Sequence, residues 1–179
     1  MKKVLTTSVF IFLTGLFAGL FFSYGLSEEN ISYLVDLLIS NLSGSSSGFF
    51  RSLGSSLINN LSLAALMIVT VATKKLCPIP FVLLFFKSFT LGFSNSLIHI
   101  GQAMGQVENA VFLSLMKMVP QNLLFIPAFI LLATASFMHS RESMLKTKRP
   151  SHERKDLNKI IIICLAAIVA GCIVEAIVL

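Results

Sequence analysis

The sequence predicts an all-α fold: a polytopic membrane bundle of about five transmembrane helices, N-terminus inside and C-terminus outside. Composition is the first reason. Of 179 residues, 55% are hydrophobic and only 12% are charged, with a mean hydropathy of +0.87. A soluble domain carries about twice that charged fraction. The second reason is that the apolar residues fall in blocks of roughly 20, the length a helix needs to cross about 30 Å of hydrocarbon. A water-soluble enzyme with a single core is excluded. Too little chain is left outside the blocks for a large catalytic domain.

Span 1 is read at 4–24, after Met1-Lys2-Lys3. Its apolar run exceeds the roughly 7–15 residues of a cleavable leader and ends in Phe21-Phe22-Ser23-Tyr24 without a small-x-small site, so a retained anchor is expected. An outer segment follows at 25–56. Ser27-Glu28-Glu29 is a helix start, with a hydroxyl cap and acids at the positive end of the dipole. Ile31, Leu34, Val35, Leu38 and Leu42 then recur at helical spacing. Ser43 to Gly48 is a Ser/Gly break, and Phe49, Phe50, Leu53, Leu57 and Ile58 suggest a second amphipathic piece leading into span 2, at 57–73.

Cys77-Pro78-Ile79-Pro80 makes a turn, because two prolines cannot continue a helix. Span 3 is placed at 81–100, with a polar loop from Gly101 to Asn109. Ala110 to Phe137 is too long for one untilted crossing and is interrupted by Lys117 and Pro120-Gln121-Asn122. It divides into an interfacial or re-entrant helix at 110–118 and span 4 at 120–138. Pro120 suits a first helical turn and Pro127 should kink that span. A basic cytoplasmic loop at 139–159 precedes span 5, at 160–179.

Charge sets the orientation. The net charge is +6. With the N-terminus inside, the inner segments hold Lys2, Lys3, Lys74, Lys75, Arg141, Lys146, Lys148, Arg149, Arg154, Lys155 and Lys159, against Arg51 alone outside. That is a positive-inside pattern, with anionic membrane lipid as the partner of the basic segments. Nucleic acid is not expected, since no aromatic residues interleave with the charges of 146–159. Cys77, Cys164 and Cys172 are odd in number and lack metal-ligand spacing, so they read as small buried hydrophobes.

Polar residues inside apolar runs need a reason, since an ionised side chain in hydrocarbon costs at least about 2.5–3.5 kcal/mol. Lys87, Ser88, Gly92, Asn95, Ser96 and His99 share about half of span 3. Ser88, Gly92 and Ser96 form a small-xxx-small ladder suited to close helix packing, as do Gly15 and Gly19 on span 1. On span 5, Cys164, Ala167, Gly171 and Glu175 lie on one stripe. By depth, Asn95, His99, Lys117, Gln121, Asn122 and Glu175 are expected to form a structural polar cluster tying spans 3, 4 and 5. A proton or ion path is the alternative use of the same residues. Lys87, about 12 Å lower by helical rise, is expected to snorkel inward. No P-loop, GxSxG, HExxH, CxxC or paired-carboxylate motif occurs, so no enzymatic activity, cofactor or metal site is expected.

Lys87…Gly92-Phe93, the run Pro120-Gln121-Asn122-Leu123-Leu124-Phe125-Ile126-Pro127-Ala128, and Glu175-Ala176 on the last span together resemble the stage II sporulation protein M family. The resemblance extends over most of the chain. One departure is the end at Leu179, directly after span 5, so partner contacts made by a longer tail are expected to be missing. The resemblance implies a role in endospore formation. The family member sits in the mother-cell septal membrane and recruits the stage II D and P proteins, single-span wall hydrolases whose outward domains thin septal peptidoglycan during engulfment. The implied function is a non-catalytic scaffold. The Gly15/Gly19 and Ser88/Gly92/Ser96 faces could dock a partner's anchor or pack on this protein's own spans. A small transporter or permease component with a broken-helix polar site at Pro120-Gln121-Asn122 is the alternative, although no internal inverted repeat is visible.

Overall fold

The computed structural model of the chain describes residues 2–42, 49–72, 77–107, 109–113, 116, 118–145 and 151–178. These form six long helices and one short turn of helix. In chain order they are α1 (Lys2–Tyr24), α2 (Glu28–Leu42), α3 (Phe49–Ala72), α4 (Ile79–Ala103), the turn α5 (Ala110–Leu113), α6 (Val119–Leu145) and α7 (Ser151–Val178). Among the described residues, α1, α3, α4, α6 and α7 are long and apolar enough to cross a membrane. The protein is an all-α membrane bundle. Large side chains such as Phe10, Phe17, Phe21 and Phe86 are exposed on its flanks, where lipid would surround them.

The five spans differ from the sequence reading mainly in where helix continues beyond the apolar run. The amphipathic piece at 49–58 and the span after it are one helix. Leu53, Leu57 and Leu61 recur one turn apart and all pack on the main core, so burial favours continuing the helix through Gly54. Likewise α6 runs past the apolar stretch to Leu145 and α7 begins at Ser151, which shortens the basic connection. α6 also runs through Pro127 without ending. The Ser43–Gly48 break, Lys74-Lys75 and Lys146–Pro150 lie outside the described residues.

Side-chain pairs fix the helix directions. Along α1, Gly15 lies by Phe85 and Ser88, and Gly19 by Phe89 and Phe93. Ser23 Oγ meets Ser96 Oγ at 2.5 Å. Both numbers climb together, so α1 and α4 are parallel. Ser8 Oγ bonds Thr134 Oγ1 at 2.7 Å, while Leu16 and Leu20 face residues 118–126, so α6 runs against α1. Gly171 abuts Phe125 and His139 faces Asn158 at 3.1 Å, making α6 and α7 antiparallel. The start of α3 meets the end of α7 through Ser56 and Glu175. Parallel α1, α4 and α7 opposed by α3 and α6 is the alternation that five successive crossings require.

The main core gathers Phe12, Met67, Leu84, Phe129, Leu132 and Ile168, among others, from all five spans. A second core lies at one end. There Ile31 and Val35 of α2 pack against Leu97 and Ile98 of α4 and against Val107. α4 ends because Gly105 adopts φ +75°, a left-handed turn that lets Gln106 N donate to Gly101 O at 2.9 Å. The returning strand of chain is tied to α2, since Gln106 Nε2 donates to Ser32 Oγ at 2.5 Å.

Candidate functional site: an intramembrane polar junction

The site is built by four helices, α3, α4, α6 and α7. On α3, Ser56, Asn60, Ala64 and Met67 are buried at helical spacing, so two polar residues occupy the upper part of a stripe that is otherwise apolar. Asn60 Nδ2 donates to the Ser56 carbonyl one turn back at 3.1 Å and lies 3.4 Å from Ser56 Oγ. Ser56 Oγ donates to Glu175 Oε2 of α7. On the other side, Lys87 Nζ of α4 donates to Asn60 Oδ1 at 2.7 Å. A continuous chain of hydrogen bonds therefore links the carboxylate of Glu175 to the ammonium of Lys87 through two neutral side chains.

The ammonium has a second kind of partner. It sits 5.5 Å from the Phe125 ring centroid and 5.4 Å from that of Phe129. Both rings come from α6 and are buried, so their negative faces offset part of the cost of holding a cation in a dry bundle. Polar side chains and the Phe125 ring line a cavity of about 220 Å³, on which Lys87, Gln121, Asn122 and Glu175 converge. Gln121 is 8% exposed, and among the described residues its Oε1 has no hydrogen-bond partner. Asn122 Nδ2 donates to the Met118 carbonyl, four residues back, at 2.7 Å.

Gln121, Asn122 and Glu175 thus share one cavity. Asn95 lines an adjoining one, which Asn122 also lines. His99 is exposed, further along α4, and lines neither. Lys117 lies outside the described residues. Lys87 does not reach away from the cluster as its depth suggested. Its long stem carries the amine to Asn60 and the two rings, where charge-assisted and cation–π contacts are both available. Ser56 and Asn60 were not singled out from sequence, because both sit where the outer segment passes into span 2. Their i, i+4 spacing, in phase with Ala64 and Met67, is the signal that marks them as inward-facing.

The small residues have a different fate. A Cβ on Gly92 would strike the Leu16 carbonyl, and one on Gly19 would strike the backbone of Phe89 and Phe93. Ser88 and Ser96 are buried in the same seam, where Ser88 faces Gly15 and Ser96 meets Ser23. Gly171 gives room to the Phe125 ring. The α1 and α4 ladders are filled by each other. Among the described residues, no group of three or more His, Cys, Asp or Glu is placed to hold a metal ion.

Fold and site define a helical membrane protein whose intramembrane polar groups are bonded from helix to helix. The chain belongs to the Stage II sporulation protein M family, whose model matches residues 8–178. It is accordingly a sporulation-related membrane protein. Neither the curated proteins nor the solved structures contain a match.

Proposed function

We propose that the protein is a non-catalytic membrane scaffold that anchors and localises septal peptidoglycan-degrading enzymes during forespore engulfment. Its place is the mother-cell septal membrane, with the N-terminus inside and the C-terminus outside, as the basic segments favour. Its partners are the stage II D and P wall hydrolases. Family membership supports the sporulation setting. The observation that carries the scaffold reading is the α2 platform. Ile31 and Val35 fasten it to the end of α4, while Tyr33 and Leu37, each two residues further on, are exposed on the opposite helix face. In the proposed orientation that face looks toward the wall, and Tyr33 and Leu37, set among the exposed acids Glu28, Glu29 and Asp36, offer an outward-facing domain a mixed apolar and acidic helix surface.

Pull-down from septating cells tests this. Single-span wall hydrolases should co-purify, and replacing Tyr33 and Leu37 together by Ser should remove them while the protein stays in the membrane. Recovery of a stoichiometric ATPase with no hydrolase would overturn the scaffold in favour of transport. The transport reading draws on one observation, the polar cavity at Gln121 and Asn122. It requires solute or ion flux in liposomes that disappears with Glu175→Gln.

A further inference from the structure

The polar cavity at the junction, about 220 Å³, has room for several waters at about 30 Å³ each, or for one small solute. Gln121 lines it and points to an occupant. That side chain is more than nine-tenths buried, and among the described residues its amide oxygen accepts no hydrogen bond. A buried acceptor left without a donor is costly, so the cavity calls for an N–H or O–H.

The charges say what else the occupant carries. Lys87 and Glu175 both line the cavity, yet they form no direct ion pair. Lys87 donates to neutral Asn60, and Glu175 accepts from neutral Ser56. The amine lies at the level of Asn60 and Phe125. Ser56, which holds Glu175, stands one turn above Asn60 on α3, and Gln121 stands one turn above Phe125 on α6. The cation and the acceptors are therefore offset by about 6 Å along the bundle, by helical rise. A purely anionic occupant would satisfy Lys87 but be repelled by Glu175, and a purely cationic one would suffer the reverse. A carboxylate and an ammonium on one carbon, with hydrogen bonds of about 2.8 Å at either end, bridge that offset.

Depth decides between a lipid and a dissolved molecule. Tyr24 is exposed at the end of α1, where an aromatic belt residue belongs, and the Ser23–Ser96 bond sets Ser96 of α4 at the same level. Lys87 stands nine residues below Ser96, about 13 Å by helical rise. A lipid head bound there would lie beneath the start of its own chains, which excludes a lipid. Ser94, two residues from Ser96, lines the upper end of the cavity, so a solute enters from the interface and descends toward Lys87.

We propose that the polar cavity binds one free α-amino acid zwitterion with a small side chain. Its carboxylate accepts from Lys87 at the lower end. Its ammonium donates to Gln121 Oε1 and Glu175 one turn above, and its side chain lies among Leu91, Met118 and Phe125, the apolar part of the lining. The site stands apart from hydrolase anchoring, which uses α2, and is read by a different experiment.

Equilibrium dialysis of the purified full-length protein in nanodiscs against radiolabelled L-alanine tests this, with N-acetylalanine and alanine methyl ester as competitors. Alanine should bind saturably, one per chain. N-acetylalanine lacks the ammonium and the methyl ester lacks the carboxylate. Each should compete about tenfold less well than unlabelled alanine, the worth of one hydrogen bond to a charged group. Gln121→Leu should weaken alanine binding by a similar factor. No saturable binding at millimolar alanine overturns the proposal, and so does equal competition by the two blocked analogues. Both results are read on the unaltered protein, so they stand even if a variant fails to fold. The measurement involves no hydrolase, so failure of the pull-down would leave alanine binding as it is.

Discussion

α4 shows two ways of joining helices in a membrane, one on each side. Toward α1 it offers Ser88, Gly92 and Ser96, and at Gly19 and Gly92 the backbones come so close that even a Cβ would strike main-chain atoms. Toward α3, α6 and α7 it offers Lys87, whose amine must reach Asn60 and two rings, leaving a cavity around it. Lipid tails are as apolar as leucine, so helices gain nothing by hiding from them and must gain from packing or polar bonds. The α1 seam takes the first route and is closed. The polar junction takes the second and keeps space, charge and, among the described residues, an unpartnered amide oxygen on Gln121. A seam built on backbone contact should fail when mass is added. A junction built on long side chains should fail when a partner is deleted.

Adding mass to the seam is expected to have the largest effect. Gly92→Val places atoms against the Leu16 carbonyl, which cannot turn aside. Overpacking typically costs about 1–3 kcal/mol, and this position should lie at the top of that range. Denaturant unfolding of the purified protein in mixed micelles would measure it. A neutral Gly92→Val would mean that α1 and α4 do not touch as described.

Deleting a partner at the junction comes next. Asn60→Leu leaves the Lys87 ammonium without its oxygen acceptor and breaks the chain to Glu175. A hydrogen bond to a charged group is worth about 1.5–3 kcal/mol, although intramembrane bonds often yield less. A loss of about 2 kcal/mol is expected from the same unfolding assay. Lys87→Met in the Asn60→Leu background should recover most of it, since the unsatisfied cation is then gone. If the two changes simply add, the bond between them is not what holds the junction.

The contrast between the two regions also explains what could be read in the sequence. Span lengths and the Gly15, Gly19, Ser88, Gly92 and Ser96 ladders follow from composition and helical period, which are local properties. The polar junction depends on which residues four separate helices bring to one level. Gln121, Asn122 and Glu175 could be grouped by depth alone. Ser56 and Asn60 could not, because α3 begins well before its apolar run and the boundary hid them. Lys87 was misplaced for a related reason. Depth along the helix locates its Cα, but its long stem decides where the charge goes, and the Phe125 and Phe129 faces that receive it become visible only once α6 is packed.

Gly171→Ala should have the smallest effect, and it tests where the two modes meet. A Cβ there would crowd the Phe125 ring. A ring can swing where a backbone carbonyl cannot, so the cost should be about 1 kcal/mol, the low end for added volume. Phe125 is not a passive wall, however, because its face lies over the Lys87 ammonium. Pushing the ring toward the cavity should weaken that contact, whose worth is about 0.5–2 kcal/mol. The penalty should therefore shrink when Lys87 is already Met, and unfolding of the two single variants and the double variant measures the coupling. An unchanged penalty would mean that Gly171 merely makes room, and that the cation is held by Asn60 and Phe129 without Phe125.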